Sequence, residues 1–168
     1  PVVWGGPHAT FYPHSILRDE ASVDYVISGY GSVSFAALVS ALTRGESPAA
    51  IGGCSWRDQG GRVVTNPDDQ TAFEFINWRD IPYPLIRDFR PYGQLDQDKR
   101  IFSMFSAMGC PYQCSFCSSP AQYARIKGRK WVPLDHGAIL DHIEHVVERY
   151  DANYIYFIDD DSFPNLRH

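Results

Sequence analysis

Apolar segments alternating with helix-period segments predict an α/β chain: strand–helix units of an open sheet, followed by the opening βαβ unit of a parallel, barrel-type sheet. Two observations carry this. Short apolar runs end in small residues, as in Val2-Val-Trp-Gly-Gly6 and Tyr25-Val-Ile-Ser-Gly29, the pattern of strands whose carboxyl ends meet a tight turn or a ligand. Further on, Leu134–Tyr150 repeats apolar residues at helical spacing between two apolar strands, as a βαβ crossover does.

Taken in order, Pro1–Trp4 reads as a buried strand and Pro13–Glu20 as a short helix opened by proline. Asp24–Ser28 reads as a strand. Val33–Arg44 reads as a helix with Phe35, Leu38, Val39 and Leu42 on one face, Ser32 as N-cap and Gly45 as its stop. Ile51–Arg57 and Arg62–Thr65 form a hairpin around Gln59-Gly-Gly61. Residues 67–99 show no clean period and read as a linker. Its aromatic residues Phe73, Phe75, Trp78, Tyr83, Phe89 and Tyr92 are too many for a disordered spacer, so Ile81–Leu85 is expected to pack across a surface. Arg100–Ala107 is the next strand. Leu134–Tyr150 is the clearest helix, capped by Asp135, with Ile139, Leu140, Ile143, Val146, Val147 and Tyr150 at helical spacing. His136, His142 and His145 fall near its polar side and are expected to be solvated. Asn153–Ile158 completes the βαβ unit.

The chain has 168 residues and a net charge of −5, with no basic run longer than Lys127–Lys130. That balance argues against a nucleic-acid groove or an anionic-membrane surface. No apolar stretch approaches the roughly 18 residues of a membrane span. Of four cysteines, three are clustered in a metal-type spacing, which favours a reducing compartment, by default the cytoplasm, over a disulfide framework. Cys54 reads as a small strand hydrophobe. The chain opens without a methionine on a mid-sheet strand and stops after a barrel-type strand, so it is expected to be a piece of a longer protein.

The densest chemistry lies in Met108-Gly-Cys-Pro-Tyr-Gln-Cys-Ser-Phe-Cys117. Cys110, Cys114 and Cys117 stand as C-x3-C-x2-C. Electron-transfer clusters take four cysteines, and structural zinc sites close with four ligands. Three thiolates can instead hold three irons of a four-iron cluster and leave the fourth open to a substrate or cofactor. A zinc site completed from elsewhere, or cysteines with no metal role, are the other readings of this spacing.

With Phe116 immediately before Cys117, the segment resembles the C-x3-C-x-aromatic-C motif of the radical S-adenosylmethionine (SAM) enzymes. The resemblance implies that Cys110, Cys114 and Cys117 ligate a 4Fe-4S cluster and that Phe116 packs near the adenine of SAM. It also implies cleavage of SAM to a 5′-deoxyadenosyl radical, with electrons from a donor such as a flavodoxin or ferredoxin. Upstream, Val2–Thr10 and Asp24–Ser32 resemble the late part of the cobalamin-binding domain often fused before such a barrel. There Gly5 and Gly6, and Gly29 and Gly31 after the next strand, are the positions implied to border the corrinoid tail. His8 is either a contact of that tail or a turn residue. Where the family reads Gly-Glu-Gly-Glu, this chain carries Tyr30 and Ser32.

Asp159, Asp160 and Asp161 follow the last strand, at the end where barrel active sites are built. Three adjacent acids persist only near something cationic or donating. The stretch resembles an F-x-D-D-x-F signature near the SAM ammonium. Phe157 as its first aromatic selects Asp159 and Asp160; Phe163 as its second selects Asp160 and Asp161. Arg125, Lys127, Arg129 and Lys130 form a basic patch that either meets an anionic group or is solvated. The implied whole is the end of a Rossmann-like cobalamin domain (1–66), a linker (67–99) and the start of a partial TIM-type radical SAM barrel (100–168). C-methylation of a small molecule is the expected activity. An oxidative cyclase is the enzyme alternative, and a non-catalytic cobalamin- or metal-binding regulatory module the alternative of another class.

Overall fold

A computed structural model describes residues 1–68, 77–88 and 99–162. Expectations resting on Phe73, Phe75, Phe89, Tyr92 and Phe163 fall outside these residues. The chain divides into two compact units, Pro1–Ala72 with Gln113–Arg129, and Phe73–Tyr112 with Lys130–His168.

The first unit is built on a four-stranded sheet in the order β1 (Val3–Trp4), β2 (Tyr25–Ile27), β3 (Cys54–Arg57), β4 (Val63–Thr65). β1 and β2 run parallel, with Val3 opposite Tyr25. β2, β3 and β4 are antiparallel neighbours, and β3–β4 is the expected hairpin. Its turn is held by Asp58, whose Oδ1 accepts the N–H groups of Gly60 at 2.8 Å and Arg62 at 2.9 Å.

Successive strand residues point to opposite faces, and β2 uses both. Val26 packs with Ala9, Ile16, Leu17 and Val23, from α1 (Pro7–Phe11), α2 (Pro13–Asp19) and the approach to β2. Ile27 packs with Leu38 and Ala41 of α3 (Ser32–Thr43) and with Ile51 and Cys54. The helix α1 was not anticipated; its proline at the first turn and Gly6 at the N-cap start it without a side-chain cap. Arg57 ties the sheet to the α2–β2 connection by donating to the carbonyls of Leu17, Ala21 and Val23.

Ser32 was expected to cap α3. It lies instead inside the helix, and Gly31 occupies the N-cap with no side-chain bond. The helix ends as expected: Gly45 is left-handed at φ +70°, the N–H of Glu46 reaches the Ala41 carbonyl at 2.8 Å, and Gly45 N–H that of Leu42 at 3.2 Å. Of the expected apolar face, Leu38 is buried whereas Phe35 and Val39 are exposed. The contact face is therefore narrower than the periodicity implied. Within the same unit, α4 (Ser119–Tyr123) is a short helix absent from the sequence expectations.

The second unit contains the expected βαβ: β5 (Ile101–Met104), α5 (His136–Tyr150) and β8 (Tyr154–Phe157), with Ile101 to Met104 in parallel register with Tyr154 to Phe157. Asp135 caps α5 by accepting the Ala138 N–H at 2.9 Å. The single strand expected over Arg100–Ala107 is interrupted. After β5 the chain turns at Phe105–Ser106 and resumes as β6 (Ala107–Gly109), which pairs antiparallel with β7 (Trp131–Pro133).

Tyr83, Phe102, Met104, Val146 and Ala152 form the core of this unit. The segment around Tyr83 thus packs, as expected of Ile81–Leu85, through two short 3-10 turns at Trp78–Asp80 and Tyr83–Leu85. The expectation that His142 is solvated is corrected. It is 8% exposed, its Nε2 lies 2.6 Å from the Tyr83 hydroxyl, and Trp78 stacks on its ring at 5.1 Å. Leu140 and Val147, by contrast, are exposed. The buried stripe of α5 is rotated toward the histidines because the Trp78–Tyr83 segment supplies a polar partner there.

Candidate cofactor sites

The carboxyl ends of β1 and β2 open into a cavity of about 310 Å³ lined by Val3, Gly5, Gly6, Ile27, Gly29, Gly31, Ser32 and Phe35. The four glycines named from the sequence are thus brought to one place. They do different work there. A methyl group on Gly5 would come no nearer than 3.8 Å to the Ile27 carbonyl oxygen, and one on Gly6 would meet nothing within 4 Å. These two keep space open that side chains would fill. At Gly31 a methyl would lie 2.8 Å from Ile27 Cγ2, and at Gly29 it would lie 2.9 Å from Asp68 Oδ2. Those two permit close packing of the turn. Such a cradle of bare backbone fits a bulky, flat-sided group that must approach the sheet end closely. His8 does not line the cavity. It is exposed, with its ring between Trp4 at 5.9 Å and Tyr12 at 5.2 Å.

Sequence reasoning passed over two residues that shape this cavity. Thr10 is buried; its hydroxyl donates to the Gly6 carbonyl at 2.9 Å and accepts the Gly29 N–H at 3.0 Å. It joins the two glycine turns. No sequence signal marks this role, which depends on burial and on partners in two separate turns. Asp68 sits against Gly29 and accepts from Arg125 Nη1 at 3.2 Å, so one member of the basic patch has an acidic partner.

The cysteine segment follows β6. Cys110 is half-buried, and Cys114 and Cys117 are exposed. The Cys117 N–H reaches the Cys114 carbonyl at 3.1 Å, and Cys117 Sγ accepts the Ser119 N–H at 3.4 Å. Phe116, between them, is 91% exposed. Among the described residues no three His, Cys, Asp or Glu side chains converge as a formed metal cluster. The donor set nonetheless suits iron–sulfur chemistry: accessible thiols, one already receiving a backbone N–H of the kind that stabilises ligating sulfur. Cys54 is the opposite case. It is fully buried in the first unit's core, and burial pushes its thiol up to about 11.

The acidic stretch after β8 is differentiated. Asp159 Oδ1 accepts the N–H of Ser106 at 2.8 Å and of Ala107 at 3.2 Å. Oδ2 accepts the hydroxyls of Ser106 and of Ser162, the latter at 2.8 Å. Burial opposes charge on this carboxyl, but the bonds from Ser106, Ser162 and Ala107 outweigh it and hold its pKa below the ordinary carboxylate value. The donors that hold Asp159 are therefore hydroxyls and backbone amides. The Asp160 side chain is exposed, and the Asp161 carbonyl accepts from Trp131 Nε1 at 2.8 Å.

No family model matches the chain. It is similar to the uncharacterized methyltransferase PH0819 of Pyrococcus horikoshii, with 31% identity over 160 residues, 95% of this chain and 33% of that protein. It is 26% identical over 163 residues to the anaerobic magnesium-protoporphyrin IX monomethyl ester cyclase of Rubrivivax gelatinosus, covering 95% of this chain and 28% of that one. It is also 30% identical over 119 residues, 69% of the chain, to the cobalamin-dependent radical SAM methyltransferase TokK of Streptomyces tokunonensis, 17% of whose length is covered. Its relatives are thus cobalamin-dependent radical SAM methyltransferases and cyclases, of which the chain matches a part.

Among solved structures, the radical SAM methyltransferase TsrM from Kitasatospora setae superposes with a TM-score of 0.63 at 19% identity, over 96% of this chain and 31% of that one. The likeness establishes the shared mixed α/β fold. The chain spans about a third of the length of the curated relatives it matches first.

Proposed function

We propose that this chain carries the cofactor-holding parts of a cobalamin-dependent radical SAM enzyme that methylates an unactivated carbon of a small molecule. The observation that carries the reading is the presence, in one chain, of a three-thiol segment with two exposed cysteines and a glycine-lined cavity at a sheet end. Cys110, Cys114 and Cys117 would hold a 4Fe-4S cluster with one iron left for SAM. Gly5 and Gly6 would let the cobalamin tail approach the backbone. Phe116 would pack on the adenine, and Asp160 and Asp161 would lie near the SAM ammonium. When bound, these groups supply single-electron reduction, a carbon-centred radical and a methyl group. The protein's own contribution is positioning and exclusion of water. The reading implies a reducing compartment and, for the reduction of SAM, a low-potential donor such as a flavodoxin or ferredoxin.

The match to magnesium-protoporphyrin monomethyl ester cyclases over 95% of the chain favours an oxidative cyclase as the second reading. The first test is anaerobic electron paramagnetic resonance of the full-length protein, reconstituted with iron and sulfide, reduced, with and without SAM. A four-iron signal that shifts with SAM and is lost in Cys114→Ala supports the reading. Absence of 5′-deoxyadenosine from SAM under the same conditions would leave a non-catalytic binding module. Zinc without sulfide would remove the cluster altogether.

A further inference from the structure

Resting on the cluster reading above, we infer that Asp159 is a positioning residue that clamps the strand leading into Cys110, and not a SAM contact. Both oxygens of its carboxylate are committed. Oδ1 takes the N–H groups of Ser106 and Ala107, and Oδ2 takes the hydroxyls of Ser106 and Ser162. Ser106 and Ala107 are where the chain leaves β5 and starts β6. β6 is three residues long and ends at Gly109, which is left-handed at φ +83° and directly precedes Cys110.

Such a short strand has little hold of its own. Its partner is β7, with Ala107 opposite Pro133 and Gly109 opposite Trp131. The same acidic stretch grips this ribbon a second time, since Trp131 Nε1 donates to the Asp161 carbonyl at 2.8 Å. Asp159 therefore fixes the start of β6, and Asp161, through its backbone, fixes the β7 residue facing its end. The first cluster ligand leaves from a strand held at both ends by residues after β8.

Chemistry favours this division of labour. An anionic acceptor of two backbone amides and two hydroxyls makes charge-assisted bonds, stronger than neutral ones. Reaching a SAM ammonium would require breaking them. The F-x-D-D stretch then splits by role, with Asp159 turned to the protein and Asp160 exposed.

The test uses the full-length protein, reconstituted anaerobically, as wild type, Asp159→Asn, Ser106→Ala and Asp160→Asn. Iron and sulfide per chain, the rate of iron loss to a ferrous chelator, and the SAM-induced change in the resonance signal are measured. Asp159→Asn is expected to lose iron roughly tenfold faster, the scale found when partners behind metal ligands are removed, while its remaining cluster still responds to SAM. Ser106→Ala should move the same way by less, with an unchanged melting curve. Asp160→Asn should hold iron normally.

If Asp159→Asn keeps wild-type iron retention but loses the SAM response, it is a SAM contact and the clamp is wrong. If it keeps both, the clamp is also wrong. Should Asp159→Asn not fold, Ser106→Ala decides, and wild-type iron retention in that variant overturns the proposal. A wild-type protein that takes up no iron refutes the cluster reading itself, an outcome distinct from equal loading of wild type and variant.

Discussion

Thr10 and Gly29 are joined by a hydrogen bond of 3.0 Å from the Gly29 N–H to the Thr10 hydroxyl, which itself donates to the Gly6 carbonyl at 2.9 Å. One buried side chain thus sets the distance between the two turns that border the glycine-lined cavity. Thr10→Val keeps the shape and removes both bonds. The Gly6 carbonyl retains the Thr10 N–H, so the loss falls on the part-buried Gly29 N–H, at about 1 kcal/mol. A lower denaturation midpoint and weaker hydroxocobalamin binding are expected, both restored in Thr10→Ser. A Thr10→Val protein that melts and titrates like wild type would show that the bridge does not matter.

Gly5 and Gly29 should respond oppositely to alanine. At Gly5 the added methyl has ordinary clearance, 3.8 Å from the Ile27 carbonyl oxygen. Stability should change by less than about 0.5 kcal/mol. The methyl narrows the cavity, so cobalamin affinity should fall by roughly tenfold, or about 1.4 kcal/mol. At Gly29 the backbone is left-handed at φ +80° and the methyl would lie 2.9 Å from Asp68. That substitution should cost at least about 1–2 kcal/mol of stability from backbone alone and disturb the Asp68–Arg125 pair. Equal effects of the two variants on melting and on binding would contradict this division.

The strands and long helices were legible because hydrophobic period reports burial directly: β2, β3–β4, α3, α5 and the parallel β5–β8 pair appear where the pattern put them. What the period cannot report is a polar partner supplied from far along the chain. Arg100–Ala107 reads as one strand because nothing within it announces that Asp159, 53 residues after Ser106, will bond near its end. His142 reads as a surface residue because its partner, Tyr83, lies 59 residues away. The glycines were visible as a motif, yet Thr10 was not, since its role depends on two backbone groups, one of them 19 residues further along the chain. Short elements such as α1, α4 and β7 lack enough residues to show a period at all.

The four cysteines should separate cleanly by alkylation of the metal-free, reduced protein. Cys114 and Cys117 are exposed, whereas Cys54 is buried and its thiol is pushed up to about 11 by burial. The thiolate is the reacting form, so Cys54 is slow on both counts. Iodoacetamide followed by peptide mass spectrometry should find Cys114 and Cys117 labelled in the native protein and Cys54 only after denaturation. Reconstitution with iron and sulfide should then protect Cys110, Cys114 and Cys117 together. Early labelling of Cys54 would mean that the sheet core is open.

Falling pH should loosen the second unit through His142. Burial lowers the pKa of this imidazole, and His145 nearby lowers it further. The ring is stacked on Trp78 at 5.1 Å and lies 2.6 Å from the Tyr83 hydroxyl, so a proton there adds charge where little water can reach it. The unfolded chain takes that proton near the ordinary histidine value of about 6.5; the folded chain takes it only at lower pH. The stabilising contribution is therefore whole above about pH 6.5 and is lost as pH falls from there through the folded value. Unfolding midpoints measured between pH 7.5 and pH 5 should decline in wild type, and the decline should shrink in His142→Phe, which keeps the stacked ring and has no proton to take. Tyr83→Phe should cost about 1 kcal/mol at neutral pH, where the hydroxyl is bonded to the imidazole. A decline as steep in His142→Phe as in wild type would assign the acid sensitivity to other groups.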